Sequence, residues 1–476
     1  MDQAPAHIVV MGAGLAGLVA ANRAAELGAR VTLIERGEGA KYRANSRFTG
    51  GVFHVAFEDI NAGAAKLEAA IARASNGYSD PELVHAYARD AGRVVSWLAD
   101  NGADFGQGGA APWMSRMLMP FSLREPGFAN HWPDKGADRL LDVLAGRLAQ
   151  RGGTFLRGHR GQSLVMHKGA CVGLSALDTD GQKVTFQATA VIIADGGFQG
   201  NADLVRRFIS PQPDKLCMRG AGTGMGDGLM MAEAVGAKLV GLESFYGHVQ
   251  ASEALENDAL WPYPILDILA SSALIVGPDG RRFTDEGLGG VPLANAIARL
   301  DDPLSSFVIF DGAIWEGPGR SFLLPPNPTF EERGVQIFRA DTLEQLAGQI
   351  GVLPDALKET VDQYNIGLAQ GQMHTLSPPR TVRAETLAGS PNRVSGGPYM
   401  AIRLCAGLTY TMGGISIDAD ARVLSEGGAP IPGLFAAGSA TGGLDGGPDA
   451  VYLGGLARAA TFGLRAGESA AGNFGH

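Results

Sequence analysis

The sequence predicts an α/β fold in which a Rossmann-like dinucleotide-binding domain is interrupted by a second, inserted domain. Two observations predict the first domain: a strand, a glycine turn, a helix and a strand open the chain, and another glycine-rich strand and turn comes near its end. Twelve of the 25 prolines and several mixed helical segments lie in residues 250–390, which indicates a separate unit. The predicted division is therefore 1–242 and 395–476 for the first domain and 243–394 for the insertion.

Composition narrows the class of protein. The 476 residues are 45% hydrophobic and 18% charged, which favours a packed core over disorder. A net charge of −10 argues against binding to nucleic acid or to an anionic membrane surface. The three cysteines, Cys171, Cys217 and Cys405, have no metal-binding or redox spacing, which fits a reducing cytoplasm. The apolar stretch 8–25 is broken by glycines and lacks a basic leader, so we expect neither a secretory signal nor a membrane span.

The first glycine turn has the spacing of a dinucleotide site. Gly12 permits the tight turn, Gly14 lets the backbone approach a pyrophosphate, and Gly17 lets the helix pack close to the strand. The amino terminus of the helix then faces the anion. Glu35 ends the next strand, where a carboxylate can accept hydrogen bonds from a ribose. Because the motif follows a strand and opens a helix, it predicts dinucleotide binding.

The second glycine turn indicates which dinucleotide is bound. A strand over 433–437 runs into Gly438 and Ser439, and a helix follows near 454–471. A classical NAD dehydrogenase needs only its first strand–helix–strand unit. A second turn that returns after the whole chain has passed is expected when FAD is held extended between two segments.

The motifs resemble those of one flavoprotein family over nearly the whole chain. This family includes the flavoprotein subunits of fumarate reductase and succinate dehydrogenase, 3-ketosteroid Δ1-dehydrogenases and tricarballylate dehydrogenases. The matching segments are GAGLAGLVAA (12–21), NSRFTGG (45–51), ADGGF (194–198), GTGMGDGLMMAEAVGAKL (222–239), ESFYGH (243–248), GRRFTDEG (280–287), TMGGISID (411–418) and IPGLFAAGSATGG (431–443).

The resemblance implies a FAD-binding domain of the two-dinucleotide-binding-domain type with an inserted α+β capping domain. Asp195 and Ser439 depart from the residues usual in the family, which implies a changed hydrogen bond at each place. The segment 43–47 holds no histidine, so we expect FAD to be bound non-covalently. The residues implied to contact FAD are Gly12, Gly14, Leu15, Ala16, Gly17, Glu35, Arg36, Asn45, Ser46, Gly50, Gly51, Asp195, Gly196, Asp227, Gly438, Ser439, Leu456 and Ala457.

The cations with which fumarate reductases hold two carboxylates are mostly missing. His248 matches the first substrate histidine of that branch, but Thr409 stands at the second histidine. Tyr452 and Gly290 stand at the carboxylate-binding and the proton-donating arginines. Since charge-assisted bonds are the strong ones, a small dicarboxylate would be held poorly.

Tyr452 instead resembles the tyrosine of the ketosteroid dehydrogenases, whose hydroxyl holds a ketone oxygen together with a backbone N–H four residues on. Here that N–H belongs to Leu456. Such a neutral pair suits an oxygen on which an enolate charge develops. The family's tyrosine base falls at Gly290, so the proton-transfer group is sought in His248, Tyr246 and Tyr410. Further polar groups that could approach the cleft are Tyr263, His131, Arg403 and Arg282, of which Arg282 is expected to be structural.

The sequence therefore predicts a cytoplasmic FAD-dependent dehydrogenase, or desaturase, without a metal. It would act on a CH–CH bond α,β to the carbonyl of a small molecule, with a ketone or keto acid as the predicted substrate, by α-proton abstraction and hydride transfer to flavin N5. The electron acceptor is not identified. Three alternatives are a polycarboxylate desaturase of tricarballylate type, as GRRFTDEG and NSRFTGG suggest, an ene-reductase running in reverse, and a non-catalytic flavoprotein.

Overall fold

The structure is a computed structural model of the chain. It describes residues 6–121, 132–260, 264–321, 323–381 and 388–472. Among these residues, no helix combines the length and the apolar character needed to cross a bilayer.

The elements follow the chain in three groups. Those before residue 243 are β1 (His7–Met11), α1 (Leu15–Glu26), β2 (Arg30–Glu35), β3 (His54–Val55), β4 (Glu58–Asp59), α2 (Ala64–Ser75), α3 (Pro81–Asp100), β5 (Phe105–Gly106), β6 (Met117–Leu118), α4 (Gly136–Gln150), β7 (Thr154–Arg157), β8 (Arg160–His167), β9 (Ala170–Leu177), β10 (Lys183–Gln187), β11 (Ala190–Ile193), α5 (Ala202–Phe208), β12 (Cys217–Met218), α6 (Asp227–Glu233) and β13 (Leu239–Val240). Those of the middle segment are β14 (Phe245–Ala251), α7 (Asp267–Ser272), β15 (Leu274–Val276), α8 (Gly290–Ala298), β16 (Phe307–Asp311), α9 (Gly312–Glu316), α10 (Thr329–Glu332), β17 (Phe338–Ala340), α11 (Leu343–Ile350) and α12 (Pro354–Ala369). The last group is β18 (Tyr399–Thr411), β19 (Gly414–Ile415), β20 (Arg422–Leu424), β21 (Pro430–Ala436) and α13 (Gly455–Ala470).

A six-stranded sheet forms the nucleotide-binding domain, in the order β20-β21-β11-β1-β2-β7. All neighbours pair in parallel except β20 with β21. Ile8, Val9 and Val10 of the central strand β1 have no exposed surface. A parallel sheet is covered on both faces, which is why its strands are continuous apolar runs in the sequence.

Helices α1 and α13 join the two ends of the chain beside this sheet. A Cβ at Gly463 or Gly467 of α13 would lie 2.5 Å from the carbonyl oxygen of Ala16 or Ala20 in α1. Glycine at these two positions, one helical turn apart, therefore lets the helices pack backbone to backbone. This contact brings the second glycine turn beside the first, as the sequence predicted.

The second large sheet is organised around β18. This 13-residue strand pairs with β12, β14, β16 and β17, and β15 extends the sheet beyond β16. Strand β18 follows the predicted boundary at residue 395, yet it is shared with strands of the middle segment. The domain boundaries stay a prediction.

The ladder between β14 and β18 positions Tyr246, His248 and Tyr410, three of the residues predicted to be catalytic. Tyr246 of β14 lies opposite Tyr410 of β18, and the register shifts immediately after this pair. His248 is two residues further along β14 and lies on the same face as Tyr246, because side chains alternate along a strand.

Candidate functional site

The first glycine turn leaves no room for side chains. Gly12 follows β1 with a φ of +99°, and a Cβ there would lie 2.5 Å from the carbonyl oxygen of Ala194. A Cβ at Gly17 would overlap the carbonyl oxygen of Gly12. Gly12 thus needs the left-handed backbone region, while Gly17 needs the close approach of α1 to the turn.

The amino terminus of α1 opens into the groove beyond this turn. Gly14 precedes the helix and has no side chain with which to cap it. The Ser46 hydroxyl accepts one N–H of the first turn, from Leu15 at 3.0 Å. A helix start of this kind is suited to a phosphate anion, since its N–H groups and its dipole both face the ligand.

Glu35 closes β2 at the edge of the same groove. Its carboxylate accepts the N–H of Ala13 at 2.9 Å and the N–H of Gly37 at 2.8 Å. Burial raises its pKa, although these two N–H donors oppose the change. The carboxylate is therefore held rigidly at the place where the sequence predicts the ribose.

Asp195 carries an unusual buried carboxyl group in the groove. Its Oδ2 accepts the N–H of Gly228 at 2.7 Å, whereas its buried Oδ1 has no hydrogen-bond partner among the described residues. Burial raises the pKa of Asp195 to about 7. The neighbouring Asp227 is instead bound by Arg160 through two bonds of 2.7 and 2.9 Å.

Most of the residues predicted to contact FAD line this one groove. They are Gly12, Gly14, Leu15, Ala16, Glu35, Arg36, Asn45, Ser46, Asp195, Gly196, Asp227, Gly438 and Ser439. Asn45 also ties the groove to the second sheet, because its amide donates to the Thr409 carbonyl at 2.8 Å and accepts the Ala221 N–H at 2.7 Å.

Five of the predicted contact residues are not among the residues that line the groove. They are Gly17, Gly50, Gly51, Leu456 and Ala457. Gly51 packs against Leu118, to which a Cβ would come within 3.2 Å, and Ala457 is fully buried in α13. Any contact of these five with a cofactor stays a prediction.

A second cavity, of about 480 Å³, lies where β14, α8 and the segment before α13 meet. Tyr452, Tyr246 and His248, three of the residues predicted to be catalytic, line it together. The rings of Tyr246 and Tyr452 stack with centroids 4.1 Å apart. Residues more than 200 positions apart in sequence therefore meet in one place.

The Tyr452 hydroxyl is fixed from behind by the start of α13. Its oxygen accepts the N–H of Gly455 at 3.1 Å. Burial raises the pKa of Tyr452 to about 12, so the phenol stays neutral. The predicted role of the Leu456 N–H, beside this hydroxyl at a ketone oxygen of the substrate, stays a prediction. Leu456 itself is not among the described residues that line the cavity.

His248 stands between a carboxylate and a phenol. Its Nδ1 lies 2.5 Å from Asp267 Oδ2, and its Nε2 lies 3.0 Å from the Tyr246 hydroxyl. The other oxygen of Asp267 accepts the Val249 N–H at 2.9 Å. Sequence reasoning missed Asp267, although a lone charge within the apolar run 264–270 was an available signal.

Gly290, where the family would supply an arginine or tyrosine, is next to this carboxylate. A Cβ at Gly290 would overlap the carboxyl group of Asp267. The space of the missing side chain is therefore occupied by Asp267.

Tyr410, the remaining tyrosine predicted to be catalytic, lies behind Tyr246 and is not among the described residues that line the cavity. Its ring centroid is 5.3 Å from that of Tyr246, and its hydroxyl donates to Asp445 at 3.2 Å. Arg458 is 3.2 Å from the same carboxylate. Burial raises the pKa of both Tyr410 and Asp445.

The charges of the cavity are mostly acidic. Arg73 is the one arginine among the described residues that line it, whereas Asp267 and Asp449 are both present. Arg282 pairs with the buried Glu286 at 2.6 Å, as expected of a structural residue, and Arg403 lies over the ring of Phe307. The predicted cleft residues His131 and Tyr263 lie outside the described residues.

Comparisons with known proteins identify the family of this chain. Residues 7–449 match the family described as FAD binding domain. The chain is 28% identical to the NADH:acrylate oxidoreductase of Vibrio harveyi over 83% of its own length and 37% of that protein, so it spans little more than a third of this relative. It is also 28% identical to the urocanate reductase of Eggerthella lenta, covering 91% of this chain and 70% of that one. The 3-ketosteroid Δ1-dehydrogenase structure from Sterolibacterium denitrificans superposes with a TM-score of 0.72 at 20% identity, over 99% of this chain and all of that chain, and shows the same fold.

The residues present fit FAD. The glycine cradle at Gly12, the first turn of α1 at the wall of the groove and the fixed carboxylate of Glu35 suit a pyrophosphate and a ribose. The two relatives are named as an oxidoreductase of NADH and acrylate and as a reductase of urocanate. Because the match covers residues 7–449, this chain belongs to the FAD binding domain family, and FAD is its cofactor.

Proposed function

We propose that this protein is a FAD-dependent oxidoreductase that forms, or in reverse reduces, a C=C bond α,β to a carbonyl group. The observation that carries the proposal is the Tyr452 hydroxyl, which lines the cavity while its oxygen accepts the N–H of Gly455. With that acceptor site filled from behind, the hydrogen of the phenol is available to a carbonyl oxygen of the substrate.

The energetics of Tyr452 support this role. An oxygen that gains charge in the transition state is stabilised by a donor that is already in place, and one such donor is typically worth about 2.7–4 kcal/mol. Tyr452 is held by stacking on Tyr246 and by the bond from Gly455. Its raised pKa keeps the donor protonated throughout the neutral range.

The charges of the cavity favour a ketone over a polycarboxylate. A tricarboxylate would place several negative charges beside Asp267 and Asp449, with Arg73 as the one arginine lining the cavity among the described residues. A like charge at close range disfavours the charged form of a ligand. A neutral carbonyl carries no such cost.

The FAD groove and the cavity divide the work. When bound, FAD supplies the two-electron chemistry, since it takes up or returns the hydride of the β carbon. The groove residues hold the cofactor, with the start of α1 at the pyrophosphate and Glu35 at the ribose. In the cavity, Tyr452 polarises the carbonyl, and the group that moves the α-proton is one of the side chains beside it.

A second candidate is the reduction of an unsaturated monocarboxylate. Arg73 at the cavity could bind a single carboxylate, and two relatives are named NADH:acrylate oxidoreductase and urocanate reductase. This candidate keeps the same cofactor and the same class of bond but has a carboxylate in place of the ketone.

Anaerobic flavin absorbance separates these candidates. The oxidised enzyme would be mixed with cyclohexanone, a cyclic keto acid or tricarballylate, and the dithionite-reduced enzyme with cyclohexenone, acrylate or urocanate. We expect the ketones to bleach the oxidised flavin or the enone to reoxidise the reduced flavin. A response to tricarballylate alone would contradict the proposal, and one to acrylate or urocanate alone would establish the second candidate.

We further propose that FAD is bound non-covalently and that the protein acts in the cytoplasm. The absence of histidine in 43–47 supports the first statement, and the three unpaired, buried cysteines support the second. Acid precipitation should release all of the yellow colour into the supernatant. Colour that stays with the pellet would contradict non-covalent binding.

A further inference from the structure

We propose that Tyr246, His248 and Asp267 form a proton relay that replaces the acid–base side chain missing at Gly290. The inference rests on the proposed function, because it supplies that reaction with its proton-transfer group. Tyr246 is the catalytic residue of the relay, His248 exchanges the proton with it, and Asp267 is a positioning residue.

The hydrogen bonds fix the direction of the relay. Asp267 accepts the Val249 N–H with Oδ1, so its Oδ2 faces His248 Nδ1 as a second acceptor, 2.5 Å away. Nδ1 must then carry the ring proton of a neutral imidazole, which leaves Nε2 as an acceptor. The partner of Nε2 is the Tyr246 hydroxyl at 3.0 Å, so the phenol proton points at a base.

The position of Tyr246 matches the task. Its ring stacks on Tyr452 at 4.1 Å, so both phenols line the same wall of the cavity. A carbonyl held by the Tyr452 hydroxyl would have its α carbon one bond away, within the range of the neighbouring phenol. The oxyanion donor would then act on the carbonyl oxygen and the proton acceptor on the α carbon, with only the carbonyl carbon between them.

Gly290 is part of the same arrangement. A side chain there would overlap the Asp267 carboxyl group, so the relay and a residue-290 acid are mutually exclusive in this packing. The glycine therefore belongs to a different solution for proton transfer, which argues against a loss of function at this position.

The proton step balances within these residues. In desaturation, the α C–H bond of the substrate breaks and its proton passes to the Tyr246 oxygen, while the phenol proton moves to His248 Nε2. The electron pair of the C–H bond becomes the second bond between the α and β carbons as the β hydrogen leaves as the hydride described above. The imidazolium formed is stabilised by Asp267, and its proton returns to solvent or, in the reverse reaction, to the α carbon.

Variants of the holoenzyme test the relay. Tyr246→Phe should lower kcat by about 10²–10⁴-fold, the usual contribution of a positioned acid or base. Asp267→Asn should lower kcat by about 10–100-fold and keep KM within about threefold of the wild-type value. The amide would still fill the space of the carboxylate, but it would misorient the imidazole. FAD content should stay at the wild-type level in both. The matched controls are Tyr364→Phe, a buried tyrosine bonded to the Ala273 carbonyl, and Asp311→Asn, a buried helix-capping aspartate.

The double variant separates a relay from separate structural effects. Since residues of one proton path act as a unit, Tyr246→Phe combined with Asp267→Asn should be within about threefold of Tyr246→Phe alone. Multiplied losses in the double variant would overturn the relay, as would Tyr246→Phe that keeps near-full kcat.

The substrate panel distinguishes failure of the relay from failure of the proposed function. If ketones bleach the flavin equally in wild type and in Tyr246→Phe, the relay is wrong and the proposed function stands. If only tricarballylate bleaches it and Tyr246→Phe abolishes that response, the ketone proposal is wrong and the relay stands. If none of the compounds changes the flavin absorbance of the oxidised or of the reduced enzyme, the relay and the proposed function are both wrong.

Discussion

The cofactor groove and the substrate cavity are built in different ways. The groove is made mainly of backbone, with glycines that permit close approach, a helix start and one fixed carboxylate, Glu35. The cavity is made of side chains, since Tyr246, His248 and Asp267 come from β14 and α7 and Tyr452 from the segment before α13. Backbone requirements restrict the residue type at single positions, whereas side-chain arrangements depend on which elements meet. The groove is accordingly easier to predict from the sequence than the cavity.

The largest effect on FAD content is expected from a substitution in the groove. Gly12→Ala places a Cβ 2.5 Å from the Ala194 carbonyl oxygen at a φ of +99°, so the turn must move. We expect the purified variant to contain less than about a tenth of the wild-type FAD, from the loss of a few kcal/mol of preorganised binding. Flavin absorbance per protein chain measures this.

The control for that variant is Gly146→Ala in α4, where no atom lies within 4 Å of the added Cβ. It should keep its FAD and gain about 0.5–1 kcal/mol of stability, because alanine replaces glycine inside a helix. Equal FAD content in the Gly12 and Gly146 variants would break the distinction between a backbone-built groove and an ordinary surface.

The matching test in the cavity is Tyr452→Phe. Removing the hydroxyl takes away one preorganised donor, so kcat should fall about 10²–10³-fold while FAD content stays unchanged. Steady-state kinetics with the substrate found by the flavin panel measures the effect. Turnover near that of wild type would remove the basis for a ketone substrate.

Asp195 tests the groove through its dependence on pH. Since burial raises its pKa from 3.8 to about 7, the native state keeps a proton that the unfolded state releases. Its contribution to stability is then complete below about pH 4 and is lost as pH rises to about 7. Relative to the Asp195→Asn variant, the apoprotein should lose on the order of 2–4 kcal/mol of unfolding free energy over this range. Denaturant unfolding at a series of pH values measures the difference, and parallel curves for the two proteins would contradict the assignment.

Tyr410 gives the smallest expected effect on catalysis. Its hydroxyl donates to the buried Asp445, so Tyr410→Phe should cost about 1–3 kcal/mol of stability by leaving that carboxylate underbonded. Because Tyr410 lies behind Tyr246, kcat should fall by less than in Tyr452→Phe. Melting temperature and kcat are measured side by side. A lower melting temperature with little change in kcat would show that Tyr410 supports the cavity without taking part in catalysis.

The local elements were largely predictable from the sequence. The helix predicted near 454–471 is α13 (Gly455–Ala470). Its local signals are strong, namely glycine at its start and a periodic apolar face. The glycine motif and Glu35 predicted a dinucleotide site for the same reason. At each of these positions the local backbone restricts the residue type, so the residue itself indicates the local structure.

The cavity depended on tertiary structure. From the sequence Gly290 is a missing acid–base residue, and only the packing of α7 against α8 shows that Asp267 fills its place. The bond from the Gly455 N–H to the Tyr452 hydroxyl was likewise not predicted, because the local path of the chain before α13 decides which N–H faces the phenol. The sequence by itself determined the family, the groove and the periodic elements, since these follow from local backbone chemistry. The tertiary structure decided which distant side chains share a hydrogen bond, because that depends on ångström distances between elements that no local pattern records.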